Sequence, residues 1–456
     1  MTLSTAGRDG PLRRLRAGER LRQIASASFG TLVGGALGAL LPFLLTRWFG
    51  LGRTTDAYFL VWGSVQLAAY VSQAVVEATL LPLSGRALTE GKAQLTAFAM
   101  AMRRYAFRVG IGMSAGVVLI VTLVLMPTST FTAAQREECY WLVLAFGLFP
   151  ILTAVSSVFS AAHYARGRFA QTAMTQAFRA LGGMVFAALL GPRYGITIVA
   201  WGVTAGEAVR LLALYGTMPE RKLVRSGSVR QPLSDVTGRT FFGVASPLML
   251  SMAIVSANPL IDKAVAARMQ VGSTTVIELA EKLFYVPAVL CSRAIALVSV
   301  TVWGKSAGTD DVAVSRDYWR VQRLAGVGTT ALVAVLGLLI VAFKGPVAGV
   351  LHLSPGTPFE SVFLLYLIGL PSSQLQSLAG GLVVTYRRTS FQPPLAVALV
   401  VVNVVADLIG AQLLGVAGIA ASSTIVRMVN AGVFVAMTVL ILREETRSPE
   451  RGGTPV

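Results

Sequence analysis

From Gly272 the chain reads GSTTVIELAEKLFYVPAVLCSRAIALVSVTVW, an apolar stretch that nevertheless carries Glu278, Glu281, Lys282 and Arg293. Glu278 and Lys282 stand four apart with the acid first, the spacing and order that favour an ion pair on one helical face. Tyr285, Val289 and Arg293 continue that face at steps of three and four. Glu281 sits beside it. Snorkelling and mutual pairing near a membrane surface would accommodate Glu278, Glu281 and Lys282, whereas Arg293 lies about two-thirds of the way along, where snorkelling is harder. A path-lining role is expected for Arg293.

Other ionisable groups sit in comparable surroundings. Asp56, Gln66, Gln73 and Glu77 lie along one early apolar segment. Glu77 is expected to face Arg293, either as a pair that breaks and forms or as a static one. Asp407, in VVVNVVADLIG, follows Asn403 by one turn on the same face. That pair is the best candidate for binding a coupling cation, Na+ or H+, with a plain helix–helix contact as the alternative. Arg179, Glu207, Asp262 and Lys263 are further intramembrane charges. Arg210 and Arg427 recur near the inner ends of two segments, where anchoring to lipid phosphate is expected.

Several chemistries are excluded. Two histidines and two cysteines, without ligand spacing, predict neither a metal centre nor a disulfide framework. VWGKSAG contains Gly-Lys-Ser, but Ser299 stands where a phosphate-cradling loop needs its first glycine. No nucleophile–base constellation points to an enzyme, and no cofactor is expected.

These groups need elements to carry them, and the composition says which. Of 456 residues, 54% are hydrophobic and 13% charged. A soluble domain of this size has too little interior for so much apolar surface. About twelve runs approach the roughly 20 residues that cross a bilayer. They fall near 25–48, 57–83, 105–127, 139–162, 171–190, 195–217, 241–266, 274–302, 321–344, 359–383, 393–413 and 416–442. Backbone groups in hydrocarbon must pair internally, and the alternation of a barrel is missing, so the spans are helices. The fold class is therefore an all-α integral membrane protein.

The net charge of +18 reads as topology, not as nucleic-acid binding. Every second loop is rich in Lys and Arg, which places both termini in the cytoplasm. The tail 1–24 is basic and can lie on anionic lipid. The chain also repeats: GLGRTTDAY (50–58) matches QVGSTTVIE (270–278), LSGRA matches VWGKSA, YARGRF matches YRRTSF, and EAVR matches TIVR, all at nearly one offset. Two six-helix bundles, 25–217 and 241–442, are expected, joined by a basic linker 218–240 and followed by a tail 443–456. Six being even, they are related by a pseudo-twofold axis along the membrane normal.

RWFGLGRTTDAYFL (47–60), ARMQVGSTTVIELAEKLFYVP (267–287) and GLVVTYRRTSFQPPLAVALVVVNVVADL resemble, in order, segments of the MviN/MurJ-like lipid II flippase family. That family lies within the multidrug/oligosaccharidyl-lipid/polysaccharide exporter superfamily. The resemblance implies two lobes in a V, alternating access and a cationic cavity for the pyrophosphate of a lipid-linked sugar. Carried over, Asp56 matches the acid of the Thr-Asp-Ala turn, and Glu281 and Lys282 match the acid and the important arginine of helix eight. A lysine lacks the bidentate fork but still binds phosphate as a point charge. The departures are in the first two helices. Gly35 and Leu41 stand where the family has cavity arginines, Pro42 replaces an acid, and Ala69 aligns with the arginine of helix two. The family commonly has two further helices after the twelve counted here.

The expected substrate site is thus Lys282, Arg293, Glu281, Asp56 and Glu77, and the expected coupling site Asp407, Asn403 and again Glu77. The expected function is outward movement of a lipid-linked saccharide, lipid II-like or another polyprenyl-pyrophosphate-linked glycan, across the cytoplasmic membrane. A cation-coupled exporter of a small amphipathic metabolite or drug is the alternative, and a transport-inactive envelope scaffold a second. Expected partners are the amphipathic substrate, membrane lipids and envelope-biosynthesis proteins.

Overall fold

The computed structural model describes residues 35–89, 91–218, 220, 250, 253–254, 256–288, 299, 303, 311–343, 349, 357–386, 388 and 390–447. Among them there is no strand. The first half comprises α1 (Gly35–Phe49), α2 (Arg53–Thr89), α3 (Lys92–Leu119), α4 (Ala133–Phe146), α5 (Phe149–Ala165), α6 (Ala177–Tyr194) and α7 (Thr197–Gly216). The second comprises α8 (Asn258–Ala266), α9 (Ser273–Ala288), α10 (Asp311–Ala342), α11 (Phe359–Ile368), α12 (Leu370–Thr385), α13 (Gln392–Leu414) and α14 (Val416–Arg447). Eight helical segments among the described residues are long and apolar enough to cross a membrane. Large apolar side chains such as Leu189, Leu338 and Leu413 are 70–75% exposed, as a surface solvated by hydrocarbon requires.

Several helices outrun the spans that hydropathy marks. α2 continues to Thr89, α3 starts at Lys92, α10 starts at Asp311 and α14 runs to Arg447, through residues expected to be loop or tail. Hydropathy reports where hydrocarbon ends, and Ala, Gln, Arg and Lys carry a helix on into water. Gly91, at φ 131°, separates α2 from α3. Except for Met218 and Glu220, the expected linker lies outside the described residues.

The repeat recurs in structural detail. Spans four and ten are both broken within their length, at Gly147 between α4 and α5 and at Gly369 between α11 and α12. Pro150 and Pro371 follow the breaks, and each lacks the N–H that would close the preceding turn. Thr204 of α7 donates to the Ala145 carbonyl beside the first break at 2.9 Å. Thr424 of α14 donates to the Leu365 carbonyl beside the second at 2.8 Å. Both pairs are 59 residues apart. The final two spans of each half also touch backbone to backbone. A Cβ on Gly206 would lie 2.1 Å from the Phe178 carbonyl oxygen, and one on Gly418 would lie 1.9 Å from that of Gly410. Such small-residue contacts are how helices associate where lipid competes for every apolar surface.

Candidate functional site at the seam between the halves

The halves meet where α2 runs along α8 and α9. At the end expected to face outward, the Asp56 carboxylate, 4% exposed, accepts three hydrogen bonds from the other half. They come from the Gly272 amide (2.6 Å), the Thr275 amide (3.0 Å) and the Thr275 hydroxyl (2.8 Å). Asp56 thereby caps α9 from across the seam, placing a negative charge at the positive end of the helix dipole. Gly272, at φ +93°, turns the backbone so that its N–H reaches the carboxylate, a conformation glycine adopts without penalty. Thr130 adds a fourth crossing bond, to the Ala267 carbonyl at 3.2 Å.

Further along the seam lies a four-charge cluster. Glu278, fully buried, pairs with Lys263 of α8 and, at 3.3 Å, with Lys282. Lys263 also reaches Glu281 at 3.5 Å. Two lysines and two glutamates make the cluster neutral, the condition under which buried charges are tolerated. Both lysines also touch α2. Lys282 Nζ donates to Gln66 Oε1 at 3.3 Å, and the Lys263 stem passes over Gly63, whose absent Cβ would lie 3.0 Å from Lys263 Cδ. One turn further in, on continuations of the same faces, Tyr70 and Tyr285 are 56% and 46% exposed. The seam is packed from Asp56 to Gln66 and carries exposed tyrosines beyond it. Lys282 and Glu281, with 14% and 23% of their side chains exposed, stand at that transition.

A second cluster lies within the second half. Asn403 Nδ2 donates to Asp262 Oδ1 at 3.0 Å and to Asp407 Oδ2 at 3.1 Å. Ser423 of α14 donates to Asp262 Oδ2. All four residues are buried, and Asn403 Oδ1 and Asp407 Oδ1 have no hydrogen-bond partner among the described residues. The available acceptor atoms are all oxygen and include two carboxylates, which suits a hard cation or a proton. The Arg427 guanidinium lies over the rings of Phe284 and Tyr366, at 4.7 and 4.9 Å.

Sequence reasoning placed Glu278–Lys282 and Asn403–Asp407 correctly as contacts, because each is one helical turn long. It did not join Lys263 to the first cluster or Asp262 to the second. Both are adjacent on α8, and only interhelical packing brings them in. The lipid-phosphate anchoring expected of Arg210 is corrected by its position. Arg210 is fully buried against α5, pairs with Glu207 at 3.1 Å and donates to Ser160 at 3.2 Å. Glu207 also takes Arg179. Arg293 and the Glu77 side chain lie outside the described residues, and so does the pair expected between them.

A protein-family model described as lipid II flippase MurJ matches residues 45–443. The chain belongs to that family. Its fold is similar to a solved structure described as lipid II flippase MurJ in the inward closed conformation, with TM-score 0.73 and 15% identity over 93% of this chain and 90% of that one. It is also similar to an outward-facing multidrug resistance MATE transporter of the MOP superfamily, with TM-score 0.64 and 16% identity over 93% and 96% of the two chains. A MOP superfamily transporter from Pyrococcus furiosus gives TM-score 0.66 at 15% identity, over 93% and 96%. No curated protein sequence matches. The protein is thus a multi-pass membrane transporter of the flippase type, and the departures expected from the sequence can be located. Leu41 and Ala69 are both buried, at 7% and 5%. At those positions the wall is apolar.

Proposed function

We propose that the protein moves a lipid-linked saccharide across the cytoplasmic membrane by alternating access, with the pyrophosphate received at Lys282 and Arg293. The observation that carries this reading is the place of Lys282, at the inner limit of the packed part of the seam and tied to both halves through Glu278 and Gln66. A phosphate arriving there competes with Glu278 and Glu281 for the ammonium, so binding loosens a contact that holds the halves together. Asp56 completes the cycle at the other end, because its three bonds must break before the outer seam can part. Glu77 belongs to the same path as a further charge on α2.

The cluster of Asp262, Asn403 and Asp407 is the proposed coupling site. Its two partnerless oxygens, Asn403 Oδ1 and Asp407 Oδ1, fit a bound Na+ or a proton. A bound cation would supply the positive charge that keeps two carboxylates together in a buried site. The residues of this chain fix the geometry: Asn403 bridges both acids, and Ser423 fixes Asp262 to α14.

One observation favours a second reading. The apolar Leu41 and Ala69 leave fewer cations than a pyrophosphate-linked glycan would recruit, and a cation-coupled exporter of a small amphipathic molecule needs fewer. Native mass spectrometry with polyprenyl-pyrophosphate-linked glycans and ordinary phospholipids offered together separates the two. Selective glycolipid binding that Lys282→Ala loses supports the flippase reading. Binding no better than bulk phospholipid supports small-molecule export.

A further inference from the structure

We propose that the inner ends of α10 and α14 form a binding site for the phosphate headgroup of an anionic phospholipid. The site is separate from the transport path. Arg316, Arg320 and Arg323 stand at steps of four and three on one face of α10, and all three are exposed. With Trp319 and Leu324 they line a groove of about 560 Å³. A smaller hollow adjoins it through the same Trp319, lined also by Ser315, Val439, Leu442 and Arg443. Trp319 thus borders both hollows, three arginines lining the one and Arg443 the other.

Among the described residues none of these four arginines makes an ion pair. Of the described acids nearby, Asp317 accepts from Trp303 Nε1 at 3.0 Å, Asp311 accepts from the Tyr386 hydroxyl at 2.6 Å, and Glu444 and Glu445 face Arg388. The groove is also built on a firm floor. Trp319 packs edge-on against buried Tyr318 at 5.0 Å, and Tyr318 against Trp303 at 5.6 Å.

Position selects a lipid over other phosphates. The arginine face runs directly into the stripe Leu324, Val327, Val335 and Leu338, which are 55–72% exposed. That stripe is the lipid-facing side of α10, so the arginines sit at headgroup depth beneath it, with Trp319 at the interface where tryptophan is favoured. α10 packs on α11, α12 and α14, away from the α2 seam, so a ligand here approaches from the bilayer. Guanidinium groups grip phosphate oxygens in pairs, and the leaflet expected on this side is the anionic one.

The test is native mass spectrometry of the full-length protein with phosphatidylglycerol, cardiolipin and phosphatidylethanolamine in turn, on wild type and on the R316Q/R320Q/R323Q variant. Wild type is expected to retain the anionic lipids selectively. The variant is expected to lose on the order of a hundredfold in affinity, from three cationic contacts, with an unchanged melting temperature in lipid-free detergent. Should the triple variant fail to fold, Arg443→Gln alone is expected to weaken binding severalfold. Equal retention of phosphatidylethanolamine, or undiminished anionic binding in the variant, overturns the proposal. So does competition by inorganic pyrophosphate at the same affinity, which would mark a soluble-anion site. A polyprenyl-pyrophosphate glycan that displaces the phospholipid here, with binding unaffected by Lys282→Ala, would reassign the groove to substrate entry. Failure of glycolipid binding at Lys282 leaves this site untouched, so the two readings fail separately.

Discussion

Glu278 is the residue on which the seam cluster depends, because it is fully buried and holds two lysines. Replacing it with Gln leaves both ammonium groups short of a counter-charge. Glu278→Gln is expected to destabilise the protein by about 3–5 kcal/mol, measured as loss of folded protein in a detergent thermal or denaturant titration. Removing Lys263 and Glu278 together, as Lys263→Met with Glu278→Leu, is expected to cost less than the sum of the single changes. Strict additivity would show that the pair is not coupled. At the second cluster, Asp407→Asn is expected to abolish any Na+- or pH-dependence of transport while leaving glycolipid binding at Lys282 within severalfold of wild type. Retained ion dependence would move the coupling site elsewhere.

At the scale of helices, the two lessons concern length and closeness. α10 was legible as a span over 321–344, yet it begins at Asp311. Its polar first turns still favour helix, and nothing in their hydropathy marks them as more than loop. The contact of α13 with α14 was equally hidden, since Gly410 and Gly418 are unremarkable in an apolar run until their backbones are seen to touch. Gly206→Leu and Gly418→Leu are each expected to wedge a helix pair apart and to lower stability by at least the ~1–3 kcal/mol typical of overpacking. A loss is expected at each, because in both places the added side chain meets the backbone of the neighbouring helix. Thermal unfolding of the purified variants measures this, and a neutral outcome at either position would mean that the close approach is dispensable.

Over the whole molecule, the sequence made the all-helical membrane class and the repeat readable, because both rest on hydropathy and on short matched motifs. It did not reveal how the halves engage. Asp56 and Thr275 are far apart in the chain, and no local pattern says that one caps the helix of the other. That cap holds one end of the seam shut while Tyr70 and Tyr285 stand exposed beyond it. Asp56→Ala removes bonds to a charged acceptor worth about 1.5–3 kcal/mol each. It is therefore expected to shift the population toward an open outer seam. A cysteine placed at Gln66 should then react several times faster with an impermeant maleimide added outside. An unchanged rate would mean that Asp56 does not hold the seam.

The measurement that bears most directly on the central claim is transport itself. Purified protein in liposomes would be given a fluorescent polyprenyl-pyrophosphate-linked glycan, with movement between leaflets read by an impermeant quencher, for wild type, Lys282→Ala and Lys282→Arg. Protein-dependent movement is expected, lost in Lys282→Ala and kept in Lys282→Arg, which supplies phosphate with a bidentate cation. Movement that is indifferent to Lys282, or no movement of the glycolipid by wild type, would contradict a pyrophosphate-binding seam as the heart of the mechanism.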